Sequence, residues 1–195
     1  MSFLKKIFSN KNSSRENVAK EQEVNLSLDD AFVHNFISKG GKFLYCITEK
    51  EITNNLHQIF AENNWDSIIC SDKSLKKLLK KTEVETQDEF SDNQPFFTTC
   101  EHLISDNGDI LFSSNQLSTH KIASLTDNFI VFAKTSQLVK DTGQGLTGIK
   151  TNCKESIPTN ISAVKNYTLE KEDDNFLNYG NNNSKNLYLL LLEDL

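Results

Sequence analysis

Phe43-Leu-Tyr-Cys-Ile47, Thr48-Glu-Lys-Glu51 and Ser67-Ile-Ile-Cys70 are the stretches on which the fold class turns. The first and third are short, unbroken apolar runs, the pattern of strands buried on both faces. Between them, Thr48 with Glu51 three residues on reads as a capping box. Ile52, Leu56, Ile59 and Phe60 then repeat at helical spacing. A strand, a crossover helix and a strand predict parallel pairing.

The rhythm extends in both directions. Upstream, Ser27 caps a helix whose buried side is Leu28, Phe32 and Phe36, with Val33 and Ile37, and Gly40-Gly41 stops it. Downstream, Ser71 or Asp72 caps a helix carrying Leu75, Leu78 and Leu79, with Lys76, Lys77, Lys80 and Lys81 turned to solvent. Residues 82–94 read as an acidic, polar loop, and Phe96–Thr99 as a strand. Cys100–Ile104 reads as a short helix, and Asp106-Asn-Gly108 as a turn in which Gly108 takes positive φ. Asp109–Ser113 and Asn128–Ala133 read as strands, and Thr135 to about Leu146 as a helix. Residues 151–186 are rich in asparagine, and Leu187–Leu192 closes the chain as a strand. The whole predicts an α/β fold with a mostly parallel sheet.

The length of 195 residues suits one domain with a tail. Residues 1–24 are read as that tail, disordered or weakly helical, and 25–195 as the domain. Phe3, Leu4, Ile7 and Phe8 share one side of a short helix beside Lys5 and Lys6, which suits weak peripheral contact with an anionic membrane or a partner. A net charge of −6 argues against a nucleic-acid partner. No apolar run approaches a membrane span. With no signal peptide read, a reducing cytoplasm and free thiols are expected. Cys46, Cys70, Cys100 and Cys153 stand apart, and the four histidines show no ligand spacing, so neither a metal nor another cofactor is expected.

Chemistry in an open parallel sheet collects at the carboxyl ends of strands. Three loops qualify: Thr48–Glu51, Asp106–Asp109 and Ser113–Gln116. The candidate ligand-binding residues are Asp106, Asn107, Gly108, Asp109, Ser113 and Ser114, with Glu101, Cys100 and His120 as secondary candidates. Hydroxyls and amides suit a phosphate or carboxylate, and a carboxylate pair suits acid–base work if one member is buried. The same acids form turns on solvated faces. Thr142-Gly-Gln-Gly145 lacks the ending of a phosphate loop and reads as a helix end and turn.

Cys100-Glu-His-Leu-Ile-Ser-Asp-Asn-Gly-Asp-Ile-Leu-Phe-Ser-Ser114, followed by Asn128–Ala133 and Ser136-Gln-Leu-Val139, resembles the central pattern of the LUD domain of lactate utilisation proteins. The resemblance implies a three-layer α/β/α fold similar to the NagB/RpiA/CoA-transferase group. It implies a role as an accessory subunit in oxidation of L-lactate to pyruvate, beside an iron–sulfur protein partner, with no catalysis by the isolated chain. A small anionic ligand is part of that expectation. Two other readings stand beside it: a small-molecule enzyme of the isomerase or CoA-transferase sort, with Glu101, Asp106 or Asp109 as base or nucleophile, and a non-catalytic interaction module. Where the family has an acidic-Thr-Gly-Thr turn, this chain has Asp106-Asn107-Gly108-Asp109, whose extra negative charge opposes an anion.

Overall fold

The computed structural model describes residues 26–90, 94–152, 157–169 and 183–194. The Phe3–Phe8 segment with the rest of the tail, and Cys153, lie outside the described residues.

The chain forms helix α1 (Leu28–Ser38), strand β1 (Lys42–Cys46), α2 (Glu49–Asn63), β2 (Ser67–Ile69), α3 (Lys73–Leu79), β3 (Glu85–Gln87) and β4 (Phe96–Thr99). There follow β5 (His102–Ile104), β6 (Asp109–Ser113), the one-turn α4 (Ser114–Leu117), β7 (Asn128–Lys134), β8 (Leu138–Val139), α5 (Thr142–Asn152), β9 (Ile161–Val164) and β10 (Asn186–Leu192). Ser27 caps α1, and Thr48 caps α2 by accepting from the Glu51 N–H, as the spacing predicts. Of the two candidates for α3, Asp72 is the cap: its carboxylate takes the N–H groups of Ser74 and Leu75.

Six strands form a sheet in the order β1-β10-β7-β4-β2-β3, every pairing parallel. Flanked by helices, it makes the molecule an α/β fold. One face buries Ile68, Phe97, Ile130 and Leu190 against Ile52, Leu56, Ile59 and Phe60 of α2 and Leu75, Leu78 and Leu79 of α3. The other buries Phe96, Phe129, Val131 and Leu189 against Phe32 and Phe36 of α1 and against Leu103, Ile110 and Phe112. Those last three belong to a second sheet, order β8-β5-β6-β9.

That second sheet corrects several readings. Cys100–Ile104 is not a helix: His102–Ile104 is β5, paired antiparallel with β6 through the turn at Gly108. A five-residue run nucleates no helix of its own, and cross-strand pairing decides its state. The 82–94 loop contains β3, and the 151–186 region contains β9, each made a strand by the neighbour it meets. Thr135–Leu146 is not one helix but a 3-10 turn (Thr135–Gln137), β8 and the first turns of α5. Thr142–Gly145 therefore starts a helix rather than ending one. Gly145 and Gly148 cost helix propensity, but they let α5 press onto the second sheet. A Cβ at Gly145 would lie 2.9 Å from Leu111 Cδ1, and one at Gly148 would lie 2.6 Å from His102 Nε2.

At the amino ends of the central strands, Lys185 is 2% exposed and donates from Nζ to the Leu125 carbonyl at 2.8 Å, with Asp127 3.6 Å away. Burial pushes its ammonium pKa down, and Asp127 pulls it back up. Among the described residues no helix is long and apolar enough to cross a membrane.

Candidate functional site

The chain leaves β2 toward the face bearing α3 and leaves β4 toward the face bearing the second sheet. In an open parallel sheet such a reversal marks the carboxyl ends as the place where ligands collect. The residues beyond β4, β6, β7 and β10 form a polar rim there, while a pocket of about 350 Å³ lies elsewhere, between β1 and α2, lined by Lys42, Leu44, Asn55, Gln58, Glu62 and Tyr188.

Glu101 is its centre. Oε1 of this carboxylate accepts from Ser113 Oγ at 2.5 Å, from Asn115 Nδ2 at 3.0 Å and from Gln116 Nε2 at 3.1 Å. Ser113 is fully buried and is the N-cap of α4: its Oγ accepts from the Asn115 N–H, and its own N–H donates to Gln116 Oε1 at 2.8 Å. Ser114 stands one residue farther, its Oγ accepting from the Thr159 N–H and its N–H donating to the Asn160 carbonyl. Gln137, past the end of β7, reaches across to donate to the carbonyls of Cys100 at 2.6 Å and Glu101 at 3.2 Å. Past β10, Asp194 receives the hydroxyls of Thr135 and Ser136 and the Ser136 N–H, all within 2.9 Å. The Ser136 N–H and hydroxyl hold that carboxyl below the usual carboxylate range. Ser136 and Gln137 fall in the Ser136–Val139 stretch that carries the family resemblance, but helical spacing alone hides the 3-10 turn that brings them to the rim.

The Asp106–Asp109 turn lies elsewhere. Asp109 and Ser113 are the two ends of β6, about 13 Å apart at the rise of a strand. The structure thus brings Glu101, Ser113 and Ser114 together but separates them from Asp106, Asn107, Gly108 and Asp109. Those four meet α1. The Asp109 side chain is buried and pairs with Lys39 Nζ at 2.9 Å. Asn107 Oδ1 accepts the Asp109 N–H, Asn35 Nδ2 donates to the carbonyls of Ser105 and Asp106, and Tyr167 donates its hydroxyl to the Gly108 carbonyl at 2.6 Å.

Two secondary candidates have defined surroundings. Cys100 is buried, and burial, with the Glu101 carboxylate beside it, pushes its thiol far up, so it stays protonated at neutral pH and is a poor nucleophile. His120 packs its ring on Phe90, centroids 4.4 Å apart. Among the described residues no group of three His, Cys, Asp or Glu side chains has metal-holding geometry.

The rim gives a direct expectation. Glu101→Ala removes the acceptor of three donors at once and lowers unfolding free energy by about 1–3 kcal/mol, whereas Glu101→Gln keeps an acceptor and loses less. Urea unfolding measures both, and an unchanged midpoint in the alanine variant would refute the shared-acceptor geometry.

A parallel sheet backed on one face by two helices and carrying a small mixed sheet on the other, with a polar rim at its carboxyl ends, defines the class as an α/β fold. The LUD domain family model matches residues 30–192, and the chain belongs to that family. A crystal structure of a DUF162 family protein from Deinococcus radiodurans superposes with a TM-score of 0.61 at 13% identity, covering 87% of this chain and 99% of that one. At that identity the likeness shows the fold. No curated sequence relative matches the chain.

Proposed function

We propose that this LUD-domain chain is a cytoplasmic accessory component of L-lactate utilisation that works beside an iron–sulfur protein and receives a small anion at the rim past β4, β6 and β7. Family membership supports the pathway. The observation that carries the ligand reading is the carboxylate already seated there. Asp194 takes two hydroxyls and one N–H from Thr135 and Ser136, with Lys134 Nζ 3.9 Å away; this donor set suits a carboxylate, and a small anion binds there by displacing the Asp194 side chain. Ser113 and Ser114 belong to this rim. The Asp106–Asp109 turn is the joint that holds α1 to the second sheet. An enzyme reading needs a base or nucleophile set in a pocket, and no observation favours one: Asp109 is paired with Lys39, Asp106 stands exposed on the turn, Oε1 of Glu101 already accepts three donors, and burial raises the Cys100 thiol pKa.

Deletion of the gene in its host tests the role. Growth on L-lactate as sole carbon source is expected to fail while growth on glucose continues, and tagged chain recovered from lactate-grown cells is expected to bring an iron–sulfur protein with it. Purified chain is expected to oxidise no lactate, and its Ser136 amide resonance is expected to shift with added L-lactate or pyruvate. Unimpaired growth on lactate, or turnover by the chain alone, overturns the accessory role. Unshifted rim resonances overturn the ligand reading.

A further inference from the structure

The two edges of the six-stranded sheet are built differently. β3 is three residues long, exposed, and carries Glu85, with Asp88 just past its end, a charged edge of the kind that resists pairing. β1 is five residues long, with Phe43-Leu44-Tyr45 at its centre and neither a proline nor a bulge. It pairs only with β10, and among the described residues no strand meets its other side. Tyr45 is 40% and Ile47 63% exposed.

The hydrogen-bond phase of that edge is determined. The Cys46 carbonyl accepts from the Glu193 N–H at 2.9 Å on the β10 side. In a parallel ladder the amide groups of Lys42, Leu44 and Cys46 therefore face β10, and those of Phe43 and Tyr45 face outward. Ile47 continues the outward series, but its N–H is taken by Glu51 Oε2 at 2.8 Å, which ends the open edge there and sets a carboxylate beside it. Lys42 starts the strand, its Nζ bonded to the Tyr188 hydroxyl at 3.1 Å.

This edge is complementary to itself. We infer that β1 joins β1 of a second copy of this chain, antiparallel about a two-fold axis through Leu44, so that the two six-stranded sheets run on as one. In that register Phe43 pairs with Tyr45 of the second copy and Tyr45 with its Phe43, which uses the outward N–H and C=O groups of both residues in each chain. The aromatic pairs fall on the α1 face, where Phe43 packs on the core, and Leu44 meets its counterpart on the α2 face. Lys42, whose Nζ in the single chain bonds the Tyr188 hydroxyl and lies 4.2 Å over its ring, comes opposite Cys46 of the second copy; turned outward from Tyr188, it meets the acids Glu49 and Glu51 that open the other α2, and the same attraction repeats across the axis. A strand presenting like charges along its length would not close on itself in this way.

The test uses the full chain. Light scattering after size exclusion is expected to give two chains per particle. Lys42→Glu and Glu49→Lys, each alone, set like charges against each other twice and are expected to weaken association about tenfold or more, with melting temperatures near that of the parent. Mixed in equal amounts, the two variants present opposite charges at both contacts, and two-chain particles are expected to return. Leu44→Cys is expected to cross-link as a disulfide dimer under mild oxidation, while Glu85→Cys on the far edge is not. A parent chain that stays single at high concentration overturns the inference. So does a dimer that both charge variants leave intact, or a mixture that does not restore it.

Discussion

Gly108→Ala is expected to destabilise the protein by about 2–5 kcal/mol, although it adds a single methyl group. Gly108 has φ +72, in the left-handed region, where a side chain costs about 1–2 kcal/mol. The larger obstacle is contact. A Cβ there would lie 2.6 Å from the Phe36 N and 2.7 Å from the Asn35 carbonyl carbon, both backbone atoms in the last turn of α1. Backbone of a packed helix does not turn aside as a flexible side chain does, so α1 must lift from the hairpin, at about 1–3 kcal/mol for overpacking. Lifting it also strains the Lys39–Asp109 pair and the Asn35 bonds to the turn. For a chain of this length each kcal/mol lowers the melting temperature by about 2–4 °C. Thermal and urea unfolding read the effect directly, and a variant that melts with the parent would show that α1 does not rest on the turn. Asp109→Asn extends the argument: it is expected to lower stability through the lost ion pair.

Phe129→Ala is the second large effect, at about 3–5 kcal/mol. Phe129 opens the buried run of β7 and is fully buried. Its ring meets Phe96 of β4 edge-on at 5.4 Å between centroids and Phe112 of β6 at 6.1 Å. It therefore fastens the parallel sheet to the second sheet, and the Lys185 ammonium lies 5.6 Å from its centroid. Removing the ring loses the transfer energy of a buried phenyl and leaves a cavity between two sheets whose spacing is held by their other pairs. Phe129→Leu fills most of the space and is expected to lose less. Equal unfolding midpoints for parent and alanine variant would show that the layers are not joined there.

What was legible in the chain follows from the range of the interactions concerned. Thr48 with Glu51, and Ile52, Leu56, Ile59 and Phe60, declare α2 because a cap and a helical stripe act within a few residues. The apolar runs at 129–133 and 187–192 declare strands buried on both faces, and with the helices between them they determine the α/β class; the run at 43–47 has the same pattern, yet β1 is an edge strand with Tyr45 exposed. The positive φ of Gly108 was also readable, since an Asp-Asn-Gly turn demands it. The Asp106–Ser114 block looked like one site because its residues are close in sequence. Strand geometry sets Asp109 and Ser113 at opposite ends of β6.

Tertiary structure alone decided the rest. Cys100–Ile104 is too short to choose helix or strand by propensity, and it becomes β5 because β6 folds back on it. The glycines of α5 read as a helix end, yet they are where the helix comes closest to Leu111 and His102. The rim joins Glu101, Ser113 and Gln116, which lie in or near a loop the sequence singles out, to Gln137 and to Asp194, 93 residues beyond Glu101, and no local pattern marks that joining. By itself the sequence determined α1, α2 and α3 and the parallel sense of the large sheet. Which carboxylates are bound within the fold and which stand at its rim depends on contacts between distant segments, and those exist only once the two sheets have packed.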